Sequence, residues 1–286
     1  MTDTFLFSII IPTYHRNDLL AKCLDCLAPD VQTLPAEQYE VIVSDDGHES
    51  TAEDMIRQNY HWVKWVAGLR KGPAANRNNG VKYAQGEWIA FTDDDCLPDA
   101  QWLAAYDEAI TSDVWIYEGK TICDTTITSP LQHAPINMTG GYLWSCNMMI
   151  QRSLFIDLKG FDENFSYPHL EDVDFRERIK KKGYDYLFVD KAEINHPQKR
   201  LPYGKGLGKL HECTIYYWLK NNENVSLVRI ATLTIRARLT TIIRFPIQVD
   251  SFLALASLSE ELMYTLKNWN AWKVSYSSCL ETKQIL

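Results

Sequence analysis

Three consecutive carboxylates, Asp93, Asp94 and Asp95, directly follow the apolar run Trp88-Ile89-Ala90-Phe91. Such a run reads as a buried strand, so the acids emerge at its carboxyl end, where open α/β sheets place their ligands. Adjacent negative charges repel one another. A cluster of this kind either surrounds a cation, with a hard divalent metal bridging to phosphate oxygens as the leading case, or forms a solvated acidic turn. Three more polar clusters sit at the ends of expected elements: Pro12-Thr13-Tyr14-His15-Arg16, Ser44-Asp45-Asp46-Gly47 and Asn76-Arg77-Asn78-Asn79-Gly80. Taken singly, each is an ordinary turn or helix surface. Their order carries more weight, because parallel strands lying side by side pool their loops in one cleft. Carboxylates for a base and a ribose, an arginine for phosphate and acids for a metal can meet there. A last pair, Glu171-Asp172, opens a helix in which Asp172, at about 100° per residue, shares a face with Phe175 and Ile179. That places a carboxylate on the side expected to pack inward, although an acid at a helix start also complements the dipole.

The elements that must position these groups alternate along the first 110 residues. Strands are expected at Phe5 to Ile11, Glu40 to Ser44, Trp62 to Val66 and Trp88 to Phe91. Helical patterns fall at Asn17 to Leu27, around Met55 and Ile56, at Ala74 to Ala84 and at Asp99 to Ile110. This alternation with short Gly, Pro and Asp connections predicts an α/β fold with a mostly parallel, doubly wound sheet. Residues 113–150 turn β-rich, with runs at Val114 to Tyr117, Thr121 to Cys123 and Tyr142 to Ile150, the last preceded by Gly140-Gly141. Helices are expected at Ser153 to Leu158 and Leu170 to Lys182, and a strand at Tyr186 to Val189 leads to His196. Pro197 to Gly208, rich in Pro, Gly and Lys, reads as a mobile loop, and residues 210–270 as an added helical region.

A chain of 286 residues with 46% hydrophobic composition can bury a full core. Its net charge of −8 is uneven: residues 1–200 carry 19 basic and 31 acidic side chains, residues 201–286 carry 10 and 6. The acidic body argues against nucleic acid as the main partner, which needs a basic surface. Seven scattered cysteines point to reduced thiols in a cytoplasmic protein, and the Cys23–Cys26 spacing has no matching second pair. The apolar stretch at Phe5 to Ile11 stops at Pro12 and lacks a basic leader, so it reads as a strand and not a signal peptide.

With these motifs in view, the sequence resembles the inverting GT-A glycosyltransferases of family 2. The resemblance rests on Ser8-Ile9-Ile10-Ile11-Pro12-Thr13-Tyr14, Val41-Ile42-Val43-Ser44-Asp45-Asp46-Gly47, Ala75-Asn76-Arg77-Asn78, Phe91-Thr92-Asp93-Asp94-Asp95 and Leu170-Glu171-Asp172-Val173-Asp174-Phe175, in the family's order over about residues 5–200. It implies a GT-A domain at 1–206 followed by a helical extension at 207–286. It also implies a nucleotide pocket lined by Pro12, Thr13, Tyr14 and Arg16, with Asp45 at the base, Arg77 at the nucleotide and pyrophosphate, and Asp93 and Asp94 beside them. Asp95, with Asp93 and His196, would hold Mn²⁺ or Mg²⁺. Because Asp94 is also acidic, the pair that holds the metal stays open. Asp172 would be the general base and Glu171 its orienting neighbour. Phe161-Asp162-Glu163 and Ser145-Cys146-Asn147 would form the acceptor-side wall, with Tyr142, Trp144 and Tyr167 able to stack on sugar rings.

The expected activity is therefore transfer of a sugar from a nucleotide sugar, a UDP-sugar first, to a hydroxyl of a sugar or lipid-linked sugar acceptor in polysaccharide or glycoconjugate synthesis. Two rivals compete with it. A nucleotidylyltransferase would need an early Gly-rich loop where this chain has Ile-Pro-Thr-Tyr-His-Arg. A catalytically silent sugar-nucleotide-binding or scaffold protein would not need Arg77, Asp93, Asp95 and Asp172 together. Lys199, Arg200 and Lys205 in the loop after His196 are expected to close over a diphosphate as a lid. In the tail, Val225 to Val249 carries Arg229, Arg236, Arg238 and Arg244 and no acid. Either this is a core-packing helix with solvated arginines, or its basic stripe meets anionic lipid at the inner face of a membrane; self-association is a further use for it.

Overall fold

The structure, a computed structural model, describes residues 5–49 and 51–285, with 281–285 described by backbone alone. The strands are β1 (Phe7–Thr13), β2 (Tyr39–Asp45), β3 (Val63–Ala67), β4 (Trp88–Thr92), β5 (Leu97–Pro98), β6 (Ile116–Ile122), β7 (Gln132–His133), β8 (Asn147–Gln151), β9 (Leu187–Asn195) and β10 (Lys199–Arg200). The helices are α1 (Asn17–Cys26), α2 (Glu53–Asn59), α3 (Pro73–Val81), α4 (Trp102–Ala109), α5 (Arg152–Asp157), α6 (Glu171–Lys181), α7 (Lys205–Lys220), α8 (Leu227–Ile243) and α9 (Val249–Ile285). Eight strands form one sheet in the order β3-β2-β1-β4-β8-β6-β9-β5. Its β3-β2-β1-β4 block is wholly parallel, whereas β8 runs antiparallel to both β4 and β6. The parallel block matches the sequence expectation, and chain order reverses at β1, so the crevice for a ligand lies beyond the ends of β1 and β4.

Burial on both faces explains why these strands read as unbroken apolar runs. Along β1, Phe7, Ile9 and Ile11 enter one hydrophobic cluster and Ile10 enters another on the opposite face. Three expected strands differ from what forms. Val114–Tyr117 and Thr121–Cys123 belong largely to the single strand β6, whose register against β9 shifts at Gly119/Lys120. The run Tyr142 to Ile150 becomes a strand only at Asn147, because Gly140, Gly141 and Leu143 all take positive φ and turn the chain.

The chain divides into two compact units. Residues up to 124, with 135–166 and 171–197, make the first; 125–134, 167–170 and 198 onward make the second. In the second unit Ile215, Trp218, Ile230, Trp269 and Trp272 pack a core among α7, α8 and α9. The segment expected to be a mobile loop is structured. Lys199 and Arg200 pair with His133 and Gln132 in an antiparallel ribbon, Leu201 N–H donates to Leu131 O, and Gly204 N–H donates to Ser257 Oγ before α7 begins. Proline and glycine here fix turns instead of loosening the chain. Among the described residues, no helix is long and apolar enough to cross a membrane.

Candidate active site

The acids at the end of β4 take separate partners. Asp94, fully buried, accepts from Thr13 Oγ1 at the end of β1 at 2.7 Å and forms an ion pair with Arg16. Burial pushes its carboxyl up to about 7 against the pull of Arg16 and Thr13. Asp93 accepts from Arg77 Nη2 on α3 at 2.6 Å. Asp95 meets Arg16 Nη1 at 2.9 Å and lies with Oδ1 3.5 Å from Nε2 of His196, the residue just after β9. Thus Thr13, Arg16, Arg77, Asp93, Asp94, Asp95 and His196, spread over 184 positions of sequence, converge where the chain order of the sheet reverses.

His196 is only 2% exposed, and its Nδ1 lies 3.1 Å from Pro197 O. A carbonyl can only accept, so Nδ1 donates there, and Nε2 is the nitrogen turned toward Asp95. At 3.5 Å the carboxylate oxygen and the imidazole nitrogen are spaced as two ligands of one cation can be. One carboxylate oxygen and one imidazole nitrogen suit a divalent ion that accepts both, Mn²⁺ more readily than Mg²⁺. Cys96 Sγ lies in the same group. Burial holds that thiol well above its usual range, with Cys146 beside it, so it stays protonated and is a poor ligand for a hard ion.

Arg77 is buried at 3% exposure and bridges two elements. Nη2 binds Asp93 after β4, Nη1 binds Glu171 at the start of α6 at 3.2 Å, and the guanidinium lies 5.7 Å from the Phe161 ring centroid. Its Nε has no hydrogen-bond partner among the described residues. Burial would lower its pKa, but Asp93 and Glu171 more than reverse this, so it stays charged. Glu171, itself buried, is pushed up to about 7 by burial and by Asp172. Burial raises Asp172 too, while the Val173 N–H and Arg77 pull it down. Asp172 remains partly exposed, and its Oδ1 accepts from Val173 N–H at 2.7 Å. The helix that begins here is oriented by composition, with Glu171, Asp172 and Asp174 in its first turn and Arg178, Lys180 and Lys181 in its last. Arg16 pairs with Asp94 and Asp95, and Arg77 with Asp93 and Glu171 and, at longer range, Asp172, so that five carboxyl groups gather around two guanidinium groups.

Other expected site residues are placed differently. Pro12 and Thr13 are buried in β1, whereas Tyr14 is 53% exposed, with its ring 4.3 Å from His15 and 6.3 Å from His48. Asp45 is closed in upon its own loop: Oδ1 accepts from Gly47 N–H, and Oδ2 from Ala52 N–H and Trp65 Nε1. Asp46, which the sequence left without a role, accepts from the Arg70 and Gly72 N–H groups and so holds the 68–72 turn. Gly68 is required there, because a Cβ would collide with Asp46 Oδ1. Asn147, expected to touch an acceptor, is spent inside the sheet. Its Oδ1 accepts from Trp102 Nε1 and Tyr106 OH, and its Nδ2 donates to Lys120 O and Ala192 O, leaving no capacity for a ligand.

Tyr142 and Trp144 do come together, with ring centroids 4.5 Å apart and 32° between planes, and Tyr142 is 43% exposed. The loop that carries Tyr142 hangs on Glu118, a fully buried residue of β6 that belongs to none of the motifs. Its Oε1 accepts from Asn137 Nδ2 and from the Gly141 and Tyr142 N–H groups, and its Oε2 from the Leu143 N–H. From the other side Arg176, one turn along α6 from Asp172, donates to Gly141 O and Tyr142 O. Aromatic wall and candidate base are thereby held on one frame. The only hint in the sequence is an acid directly after the apolar Ile116-Tyr117 of that strand.

The site lies at the point of an α/β sheet where strand order reverses, and comparison with known proteins narrows the class. Residues 8–114 match the profile of glycosyl transferase family 2. The stretch includes the acids after β4 and Arg77, and ends before Asp172 and His196. A poly(ribitol-phosphate) beta-glucosyltransferase of Bacillus spizizenii is 39% identical over 93 residues, 31% of this chain and 14% of that protein. Glycosyltransferase AglE of Haloferax volcanii is 36% identical over 108 residues, 36% of this chain and 35% of that one. The matched stretch thus spans about a third or less of these relatives. The solved structure of a mannosyltransferase from Pyrobaculum calidifontis, in complex with GDP-Man and Mn²⁺, superposes with a TM-score of 0.51 at 17% identity, over 98% of this chain and 79% of that one. The fold is the GT-A fold expected from the sequence.

Proposed function

We propose that the protein is an inverting, metal-dependent glycosyltransferase that moves a sugar from a nucleotide sugar, a UDP-sugar first, to a hydroxyl of a sugar or lipid-linked sugar acceptor. The observation that carries this reading is the convergence of Asp93, Asp95, His196 and Arg77 at the strand ends with Asp172 on the facing helix. Asp95 and the Nε2 of His196 would hold the ion, which when bound neutralises charge on the leaving diphosphate. Thr13, Tyr14 and Arg16 line the nucleotide side, with Asp45 shaping the base end through its loop. Asp93 and Asp94 set the positions of Arg77 and Arg16. Arg77 keeps Glu171 and Asp172 partly ionised in a buried setting and approaches the pyrophosphate if one of its carboxylate contacts opens. Asp172, raised by burial yet partly exposed, accepts the proton of the acceptor hydroxyl as that oxygen attacks the anomeric carbon in line. A single displacement inverts that carbon. Tyr142 and Trp144 present an apolar face to the acceptor ring.

A thermal-shift screen of UDP, GDP and dTDP sugars with and without Mn²⁺ tests donor and metal together. A metal-dependent shift with one nucleotide series is expected. No shift with any, combined with no donor hydrolysis, would leave a silent member of the fold.

A further inference from the structure

The turn between α8 and α9 presents its residues in an order opposite to the one water selects. Ile243 is 80% exposed, Ile247 87%, Val249 75% and Phe252 65%. The polar residues interleaved with them are turned inward: Gln248 Nε2 donates to Thr128 O, and Asp250 is hydrogen-bonded by Ser129 Oγ and lies 3.8 Å from Arg200. Side chains able to hydrate are thus spent on the protein, while four large apolar ones, within ten residues of chain, project outward.

Apart from Asp250, which is engaged by Ser129 and Arg200, the charges leading to this tip are basic. Residues 225–249 contain four arginines and no acid. Two of the four are taken up internally. Arg229 binds Glu223 and covers the Trp218 ring, and Arg238 pairs with Glu261. Arg236 and Arg244 are exposed. Arg236, Leu239 and Ile243 fall within about 60° of one another on the helical projection of α8. Of the four arginines expected to carry a basic stripe, two thus remain free to face outward beside an apolar tip. Among the described residues no helix qualifies to span a bilayer, so the feature suits a segment that enters the interface without crossing it.

We propose that the α8–α9 turn is a membrane-docking tip that inserts Ile243, Ile247, Val249 and Phe252 among the acyl chains of an anionic bilayer while Arg236 and Arg244 meet its headgroups. The inference is independent of the reaction proposed above.

Flotation of the full chain with phosphatidylcholine vesicles, with and without phosphatidylglycerol, tests it. The wild type is expected to float with the anionic vesicles at low salt and to be released by high salt. Ile247→Asp and Phe252→Asp should each weaken partition about tenfold or more. Reversing Arg236 and Arg244 to Glu should weaken it about fivefold per site, on anionic vesicles only. Val228→Asp, an equally exposed apolar site at the far end of α8, should float like the wild type. Circular dichroism and thermal unfolding confirm that each surface variant is folded. No flotation of the wild type on anionic vesicles overturns the proposal, as does undiminished flotation of Ile247→Asp. A wild-type dimer in light scattering that Ile247→Asp splits, without flotation, also overturns it and assigns the tip to a second copy of the chain.

Discussion

Two buried charge clusters, one in each unit, are built from the same side-chain types and behave in opposite ways. In the second unit, His211, Arg238 and Glu261 satisfy one another. Thr265 Oγ1 donates to Glu261 O, so it must accept from His211 Nδ1, while His211 Nε2 donates to Glu261 Oε1 at 3.1 Å and Arg238 contributes two further bonds to the same carboxylate. Glu261 is held below its usual range: burial alone would raise it, but the His211 and Arg238 bonds prevail. Nearby, burial together with the positive His211 and Arg238 lowers His169 to about 4. In the first unit a single Arg77 serves Asp93, Glu171 and Asp172, its Nε is unmatched, and two of the carboxyls are pushed up. A balanced cluster stabilises a fold. An unbalanced one stores electrostatic cost where a ligand is to relieve it.

The sharpest way to break this contrast is to remove a donor from the unbalanced cluster. Asp95→Ala should lower sugar transfer about 10³-fold or more while leaving the unfolding midpoint within error of wild type. Full activity in this variant, or in wild type with excess chelator, would refute the metal-dependent reading. Asp172→Asn keeps shape and removes the base, so transfer at saturating donor should fall about 10²-fold with donor affinity unchanged. Lost donor binding at an unchanged saturated rate would make Asp172 a pocket residue.

The balanced cluster should respond through stability instead. Glu261→Gln should cost about 2 kcal/mol by denaturant titration, with turnover per folded molecule unchanged. Because the folded-state pKa of Glu261 is depressed, its contribution is present above the ordinary carboxylate range and is lost as pH falls through the folded value. The penalty of the variant should therefore shrink in acid. Glu171 has the opposite sign. Its folded pKa of about 7 stands above the ordinary 4.5, so the stability it contributes is complete below 4.5 and is lost as pH rises through about 7. Glu171→Gln should flatten that slope and gain up to about 1 kcal/mol at pH 8. Parallel pH profiles for Glu171→Gln and Glu261→Gln would erase the contrast.

Much of the first cluster was legible because strand ends in a parallel block are marked by where apolar runs stop. Ile11 and Phe91 are each followed within two residues by groups of the site, and topology brings them together. The assignment of partners within the Asp triplet was not legible, since it depends on Arg16 arriving from the start of α1 and Arg77 from the middle of α3. Asn147 misled because an amide beside Cys146 and Trp144 looks available, whereas its donors and acceptors come from α4, β6 and β9, up to 45 positions away. The 197–208 segment misled through composition. Its prolines and glycines report turn geometry, and pairing with residues 131–133, which orders the chain, leaves no trace in local sequence.

The carboxylate of Glu118 holds the 137–143 loop largely by main-chain N–H groups. What shapes this wall is therefore indifferent to most of the side chains it displays. Met138 at 52% exposure and Tyr142 at 43% project from a backbone that neither has to support. Evolution, or a laboratory library, can exchange those surfaces to retune which acceptor is recognised without re-solving the path of the chain. A change at position 118 would instead erase the wall in one step.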